Sequence, residues 1–393
     1  MDFRFTAEEE AFRKEVHDFI ESECPSELMG KGVNFFEQAP KLIEWRGKVA
    51  KKGWVAPAWP KEYGGAGMTV MEQFIYNLET AIMRAPSPIF IGGLAVAVIG
   101  PTIIIYGSEE QKQEHITKIL AGQEMWCQGF SEPESGSDLA SLQTRAVKDG
   151  DDYVINGTKV WSSNAHKANW CFLLARTDPD APKHKGISYF ITPMDAPGIS
   201  VRPLINMANE HVFNEIVFED VRIPAKYLVG EENRGWYIGM TTLDFERSNI
   251  SSAAGYRRSL EQLIGYAKET ATNGHRMIDE PGVRGKLAEL AIENTVGRNL
   301  SLRVASMQER NQIPNYESSA AKVYHSEYGQ RLARAGVQIL GLYGILDEES
   351  KHARLRGRFA RTYLTSIGST IAAGTSEIQR GIIAQRGLGL SRI

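Results

Sequence analysis

The sequence predicts an α+β fold in three parts: an N-terminal α-helical domain (1–125), a central antiparallel β-domain (126–235) and a C-terminal helical bundle (236–393). A chain of 393 residues is too long for one ordinary hydrophobic core, so two or three packed units are expected. Apolar residues recur at helical spacing near both ends, whereas short strand-like runs fill the middle.

Helix-capping patterns support the first part. Thr6 and Glu9 are spaced as a capping box, in which the hydroxyl and the carboxylate satisfy free backbone N–H groups. Ser108 and Gln111 repeat that spacing before another apolar-periodic segment. Turns rich in glycine and proline lie between these helices, as in Gly64–Gly67.

One apolar run in the first part resembles a membrane segment. Ile89–Ile105 is uncharged but only 17 residues long, at the short limit for a span. Gly92-Gly93 and Gly100-Pro101 interrupt it. We therefore predict a buried helix and a turn here.

Four short runs predict strands in the middle part, and their succession without long helices favours an antiparallel sheet or a small barrel. These runs are Tyr153–Ile155, Trp170–Ala175, Ile187–Thr192 and Glu215–Phe218. Asp149-Gly150 and Asn156-Gly157 are predicted turns. The third part contains four long amphipathic segments, which predict a bundle. They run near 236–272, 281–310, 316–341 and 350–390.

Composition excludes several classes of protein. The net charge of −3 does not indicate the strongly basic surface that is typical of nucleic-acid-binding proteins. Cys24, Cys127 and Cys171 form no CxxC pair and no metal-ligand pattern, so no metal is predicted and a reducing compartment is expected. The first residues lack the apolar core of a signal peptide, and we expect a cytoplasmic protein. The sequence also lacks GxGxxG, GxxxxGK[ST] and HExxH.

An ordered set of segments, spread over essentially the whole chain, resembles the acyl-CoA dehydrogenase family. Three carry most of the resemblance: Phe130–Asp138, Ile155–Asn164 and Ala372–Arg380. Three more support it: Trp59–Gly65, Asp220–Pro224 and Gln338–Gly344. The resemblance implies helical, β and four-helix domains, a FAD cofactor and an acyl-CoA substrate that is converted to a trans-2-enoyl-CoA. It also implies an electron-transfer flavoprotein as electron acceptor, a homotetramer or heterotetramer, and a role in fatty acid or lipid metabolism.

The resemblance assigns the cofactor residues. Those expected against the isoalloxazine and phosphates of FAD are Gln128, Phe130, Ser131, Ser137, Trp161 and Ser163. Gln338 and Gly341 match the segment that meets the FAD of a neighbouring subunit, and Thr375 and Glu377 match positions near the diphosphate and ribose. Arg276 is the candidate replacement for a missing Arg-x-x-Phe-Gly contact. Taken without the resemblance, these polar residues would be turn formers and Trp161 a core residue.

The catalytic base departs from the commoner family pattern. Many relatives place a glutamate where this chain has Ala373, which cannot take a proton. A minority, such as isovaleryl- and long-chain-type enzymes, carry the base on an earlier helix, in a pattern similar to Leu243–Arg247. Glu246 is therefore the candidate base, the alternative being an ordinary surface pair with arginine. The backbone N–H of Ala373 remains a candidate donor to the thioester oxygen.

The resemblance also assigns substrate contacts. Asp244 and Arg247 match positions that meet CoA, and Ser137 matches one beside the pantetheine. Leu94 and Ala372 are expected to line the acyl cavity. Small residues at 372 and 373 leave volume for a bulky, ring-bearing or long acyl group, and the local patterns are similar to bacterial pimeloyl-CoA and steroid-side-chain dehydrogenases.

Two other functions stay open on the sequence. One is a flavin oxidase or monooxygenase on the same fold, which would react with oxygen. The other is a partner subunit in a heterotetramer whose second chain performs the chemistry.

Overall fold

The computed structural model describes residues 4–29, 39–86, 93–246, 250–272, 274–310 and 312–391. The chain forms two compact units. A helical unit contains Met1–Trp45, Met68–Ser87 and Arg247–Ile393, and a sheet unit contains Arg46–Gly67 and Pro88–Glu246. The order of helices, sheet and helices confirms the predicted fold class, while the division at residues 125 and 235 stays a prediction.

Eleven α-helices lie in the described residues. In chain order they are α1 (Ala7–Glu23), α2 (Ala39–Lys51), α3 (Val70–Ile82), α4 (Gly100–Tyr106), α5 (Glu109–Ala121), α6 (Gly235–Glu246), α7 (Ile250–Glu269), α8 (Pro281–Glu309), α9 (Tyr316–Leu340), α10 (Arg358–Ser369) and α11 (Ser376–Ile382). The capping boxes of Thr6 and Ser108 start α1 and α5 as predicted, and Thr69 starts α3 in the same way. Each box satisfies N–H groups that the first turn of a helix leaves free.

The core of the helical unit lies among α7, α8, α9 and α10. Leu263, Leu290, Leu332 and Phe359 are buried there together. At Gly336 of α9 an added Cβ would lie 1.9 Å from the ring of Phe359, so glycine is what lets α10 approach α9. This packing agrees with the predicted bundle.

Two of the predicted helical segments are divided. The segment 350–390 contains α10 and α11 with residues 370–375 between them, where Ala373 and Gly374 have φ of +53° and +83°. A helix cannot continue through left-handed residues, so the prediction of one segment is wrong there. The segment 236–272 contains α6 in the sheet unit and α7 in the helical unit, and residues 247–249 lie outside the described residues.

Within the described residues the sheet has eight strands, in the order β6-β7-β3-β2-β4-β5-β8, with β1 pairing β4. The strands are β1 (Trp126–Gly129), β2 (Arg145–Asp149), β3 (Asp152–Lys159), β4 (Trp170–Arg176), β5 (Ile187–Pro193), β6 (Ile199–Ile205), β7 (His211–Pro224) and β8 (Leu228–Val229). A separate two-stranded ribbon joins β9 (Ala271–Thr272) and β10 (His275–Arg276). All four predicted strands lie within these elements.

The sheet is mixed, which corrects the prediction of an antiparallel one. β1 runs parallel to β4, and β2 meets β4 in a parallel bridge at Arg145 and Arg176. The remaining pairs are antiparallel. Parallel neighbours need long connections, and here β2 and β3 intervene in the chain between β1 and β4.

The predicted turn at Asn156-Gly157 is wrong. Both residues lie inside β3, where the pairing with β7 shifts between Ile155 and Gly157. Gly157 has a φ of +151°, and a Cβ there would lie 2.5 Å from Thr144 Oγ1. The glycine therefore marks a bulge and a close approach within the sheet.

The apolar run Ile89–Ile105 is described from residue 93 onward. It forms a π-helical turn over Ala95–Ile99 and continues into α4. Gly100-Pro101 begins this helix, as proline is favoured in the first turn of a helix. No described helix is both long and apolar enough to cross a membrane.

Candidate cofactor and substrate site

The first group of predicted residues lies in the sheet unit, on residues 126–164, which we call the platform. Its two polar segments are bonded to each other. The N–H of Val160 donates to the carbonyl of Ser131 at 2.9 Å. The hydroxyl of Ser162 donates to the carbonyl of Gln128 at 2.8 Å. Gln128 and Ser131 are thus held beside residues 160–162.

The side chains of residues 161–163 differ in their exposure. Ser162 is buried, whereas Trp161 is 62% exposed and has a φ of +62°. The Trp161 ring meets Phe213 edge-on, with 6.0 Å between ring centroids. Trp161 is therefore not a core residue, and its apolar ring is presented on the surface of the sheet unit.

The hydroxyls of Ser131 and Ser163, both on the platform, have no partner within the described part of the chain. Ser131 and Ser163 are both half-buried. Among the described residues, neither hydroxyl makes a side-chain hydrogen bond. A half-buried hydroxyl without a partner can bond a polar ligand, so these two serines suit a ring that carries nitrogen and oxygen acceptors or donors.

Phe130 and Ser137 occupy different surroundings. Phe130 is 4% exposed and packs edge-on against Phe172 and Tyr189, at 5.7 and 5.9 Å between centroids. Its side chain therefore belongs to the core of the sheet unit and is not placed for a cofactor contact. Ser137 is exposed, next to Asp138, which pairs with Lys183.

A second group lies in the helical unit, on residues 370–377, which we call the carboxyl-terminal turn. The carbonyl of Ala373 accepts a hydrogen bond from Gln379 Nε2 at 3.1 Å. The hydroxyl of Thr375 caps α11 by accepting from the N–H of Ile378 at 3.2 Å. Within the described chain, no acceptor bonds the N–H of Ala373. The turn thus holds Ala373 through its carbonyl, while its N–H, which belongs to the preceding peptide unit, stays available among the described residues.

Other predicted cofactor residues of the helical unit lie at helix ends. The carbonyl of Gln338 accepts the N–H of Gly341, which ends α9 with a φ of +58°. Glu377 is exposed in the first turn of α11. Hydrogen bonds from its own backbone N–H and from Thr375 lower the pKa of Glu377, which keeps it ionised at neutral pH. Ala372 is exposed beside Ala373.

Arg276 is an exposed residue of the helical unit. It donates two hydrogen bonds to Asp279, at 2.9 and 3.1 Å. Hydrogen bonding to Asp279 raises the pKa of Arg276, as expected for a bidentate ion pair. A phosphate at Arg276 would have to share the guanidinium with this carboxylate.

The remaining predicted residues are described less completely. Glu246 is the last residue of α6, and Asp244 lies in the same helix, but both side chains lie outside the described residues, as does Arg247. Leu94 is half-buried just before the π-helical turn. That turn is held by Trp59, whose Nε1 donates to the carbonyl of Val96 at 3.0 Å. In the described chain, no group of three or more His, Cys, Asp or Glu could hold a metal ion.

Sequence reasoning missed one feature of the platform. Lys159 is completely buried and pairs with Glu132 at 2.9 Å. A signal was present, because Tyr153 and Ile155 also point inward and an alternating strand places residue 159 on the same face. A lysine at an inward position predicts a buried partner.

Comparison with known proteins identifies the chain. Three family models match it in order: the acyl-CoA dehydrogenase N-terminal domain over residues 6–123, the middle domain over 127–221 and the C-terminal domain over 233–388. Acyl-CoA dehydrogenase FadE26 of Mycobacterium tuberculosis is 36% identical over 100% of this chain and 99% of its own length. The chain belongs to the acyl-CoA dehydrogenase family. Acyl-CoA dehydrogenase IpdE1 of the same organism is 33% identical over 98% of both chains.

Solved structures share the fold over the full length of this chain. The ChsE4-ChsE5 complex from Mycobacterium tuberculosis superposes with a TM-score of 0.87 at 35% identity, covering 100% of both chains. A structure named Tcur3481-Tcur3483 steroid ACAD gives 0.86 at 34% identity with the same coverage. These matches confirm the family and the three-part fold expected from the sequence.

The family fixes the class of enzyme and its cofactor. This chain is an acyl-CoA dehydrogenase, an oxidoreductase, and its cofactor is FAD. The platform fits that cofactor, since it offers two half-buried hydroxyls without partners and an exposed indole ring. Hydroxyls can bond the heteroatoms of a flavin, and an aromatic side chain can pack beside its ring.

Proposed function

We propose that this enzyme catalyses α,β-dehydrogenation of an acyl-CoA thioester to a trans-2-enoyl-CoA and passes the electrons to an electron-transfer flavoprotein. The observation that carries the proposal is the carboxyl-terminal turn. It presents the backbone N–H of Ala373, which has no acceptor among the described residues, and Gln379 holds the other side of the same residue by bonding its carbonyl. A fixed donor of this kind stabilises negative charge as it develops on a thioester oxygen.

The proposed cofactor residues keep the roles expected from the sequence. Those of the platform are Gln128, the backbone of Phe130, Ser131, Ser137, Trp161 and Ser163. Those of the helical unit are Arg276, Gln338, Gly341, Thr375 and Glu377. When bound, FAD supplies the acceptor for the hydride that leaves the β-carbon.

The proton at the α-carbon needs a base that residue 373 cannot supply. Alanine has no titratable group, although its N–H can still bond the thioester oxygen and so make the α-proton more acidic. We assign the base to Glu246, and we expect its pKa to rise above the ordinary value of a glutamate when bound acyl-CoA excludes water. In this chain the base and the group that binds the thioester oxygen therefore lie on different residues. Relatives with a glutamate at the position of Ala373 combine both roles in that one residue.

The proposed substrate is a CoA thioester with a bulky, ring-bearing acyl group. Ala372 and Ala373 are both small, which leaves volume for such a group, and Leu94 is assigned to its cavity wall. Ser137, Asp244 and Arg247 are assigned to the CoA portion. The steroid ACAD among the similar structures supports a ring system over a short chain.

A heteromeric assembly is the proposed quaternary structure. The two similar structures described above each combine two named components, as in the ChsE4-ChsE5 complex. Native mass spectrometry of the chain purified alone tests this directly. A stable homotetramer with one FAD per chain and full activity would contradict the need for a second component.

Anaerobic titration of the FAD-loaded enzyme with a panel of acyl-CoAs tests the reaction. Ring-bearing acyl-CoAs should bleach the visible absorption of the flavin, and short straight chains should do so poorly. Oxygen uptake without an added electron acceptor should stay low. Rapid oxygen uptake would favour an oxidase instead.

Glu246→Gln tests the base. This variant should stay yellow with bound FAD, while the rate of bleaching by substrate falls by about 10²–10⁴-fold, as for loss of a general base. Glu231→Gln, at an exposed glutamate just before α6, is the matched control and should bleach at the wild-type rate. Retained bleaching in Glu246→Gln would remove Glu246 from the mechanism.

A further inference from the structure

One lysine of the sheet unit is completely buried at the end of β3. Lys159 Nζ lies 2.9 Å from Glu132 Oε1, and the two side chains are 0% and 8% exposed. The same ammonium donates to the carbonyl of Phe130 at 3.0 Å. A buried ammonium is far costlier than an exposed one unless it is paired and hydrogen-bonded, so these partners are what hold Lys159 inside.

Glu132 carries the connection further along the chain. Its carboxylate accepts the N–H of Gln143 at 2.6 Å and the N–H of Thr144 at 2.8 Å. Burial opposes its charge, but Lys159 and the hydrogen bonds from Thr144 and Gln143 hold the pKa of Glu132 below its ordinary value. Glu132 is therefore an anion at neutral pH. Burial lowers the pKa of Lys159, and the carboxylate of Glu132 opposes that shift, so the ion pair is what favours the charged ammonium.

A glycine leaves room for the side chain of Lys159. At Gly129, the last residue of β1, an added Cβ would lie 3.0 Å from Cys171 Sγ and 3.1 Å from Leu173 Cβ. It would also lie 3.4 Å from Lys159 Cγ. The glycine thus keeps a narrow space in which the methylene groups of Lys159 pass through the core to reach Glu132.

This pair joins the two polar segments of the platform. Glu132 directly follows Ser131, and Lys159 directly precedes Val160, whose N–H donates to the carbonyl of Ser131 at 2.9 Å. The partnerless hydroxyls of Ser131 and Ser163 lie on these two segments. The distance between these two hydroxyls therefore depends on the buried hydrogen bonds that Lys159 and Glu132 make.

We propose that Lys159 and Glu132 are positioning residues for the flavin: together they fix the spacing of the Ser131 and Ser163 hydroxyls, so that FAD is bound in one orientation. This inference rests on the proposed function, because it takes the platform as the flavin site. Both side chains are buried, and they act through the Phe130 carbonyl and the residues next to them.

Lys159→Met tests the proposal, since methionine keeps much of the side-chain length but removes the charge and the donor. The dissociation constant for FAD should rise at least about tenfold, as for loss of one well-placed interaction. The resolved shoulders of the visible flavin spectrum should blur. Arg222→Met is the matched control, because Arg222 forms an exposed pair with Asp149 on the same sheet, and it should leave both readouts unchanged.

A second variant keeps the test decisive if Lys159→Met fails to fold. The double variant Lys159→Met/Glu132→Leu removes both charges and so leaves no unpaired buried carboxylate. We expect it to fold but to bind FAD more weakly than wild type, with a blurred spectrum. A merely structural role would lower the yield of folded protein without changing FAD affinity or spectrum per folded chain. Wild-type FAD affinity and spectrum in either variant would overturn the proposal.

Failure of this positioning role can be distinguished from failure of the proposed function. If the wild-type chain binds FAD tightly but no acyl-CoA bleaches it, the proposed reaction fails while the positioning test remains valid. If the wild-type platform does not hold FAD, substitution of Ser131 or Ser163 leaves FAD affinity unchanged. That outcome would overturn the positioning role together with the platform assignment.

Discussion

The platform and the carboxyl-terminal turn hold their polar groups by different means. In the platform, the decisive bonds join residues far apart in the chain, such as Lys159 to Glu132 across 27 positions. In the turn they are local, as between Gln379 and Ala373 across 6 positions. The platform's geometry therefore depends on the folded sheet, whereas the turn's geometry depends on the backbone conformation of a few residues.

The largest expected effect is on the stability of the sheet unit. Lys159→Met leaves Glu132 as an unpaired buried carboxylate, and breaking a buried pair in this way costs about 3–5 kcal/mol. Urea denaturation followed by circular dichroism should show this loss in Lys159→Met and recover most of it in the double variant with Glu132→Leu. A loss of unfolding free energy below about 1 kcal/mol is usual for an exposed ion pair. A loss that small would contradict the idea that long-range buried bonds hold the platform differently from the turn.

The same pair should make stability depend on pH. The folded-state pKa of Glu132 lies below its ordinary value of 4.5, so its contribution is present above that pH and is lost as the pH falls further. In Lys159→Met the unpaired buried carboxylate should have a raised pKa instead. The difference in free energy of unfolding between wild type and variant should therefore be largest near neutral pH and shrink towards acidic pH. A pH-independent difference would contradict an ionic pair.

A smaller effect is expected in the turn. Ala373 has a φ of +53°, and a left-handed conformation costs an L-residue about 1–2 kcal/mol. Ala373→Gly relieves this cost but adds freedom to the unfolded chain, so the free energy of unfolding should rise by no more than about 1 kcal/mol. The N–H is kept, and the rate of flavin bleaching should stay close to wild type. The control Ala353→Gly, at a φ of −59°, should not stabilise.

The smallest expected effect concerns Arg276. If its guanidinium helps to bind a phosphate of FAD, Arg276→Gln should raise the dissociation constant for FAD only severalfold, because the group is exposed and shared with Asp279. The increase should diminish at high salt. Asp279→Asn is the control and should not weaken FAD binding. If Arg276→Gln weakened FAD binding more than Lys159→Met does, the more important cofactor contact would lie outside the platform.

Local rules predicted much of the fold. The capping boxes at Thr6 and Ser108 were correct because they depend on four neighbouring residues. The turn at Asn156-Gly157 was wrong because both residues belong to β3, which pairs with β7, remote in the chain, across a register shift whose extra residue lies on β7. The parallel pairing of β1 with β4 escaped prediction for the same reason, since strand direction depends on where the chain returns.

By itself, the sequence determined the family, the cofactor and the absence of a carboxylate at residue 373, because these follow from residue identities in a fixed order. It could not determine which platform residues face outward. Only the tertiary structure decided that Phe130 is core, that Trp161 is exposed and that Lys159 reaches Glu132 through the space beside Gly129. Burial and pairing depend on contacts between distant segments, and no local pattern specifies those contacts completely.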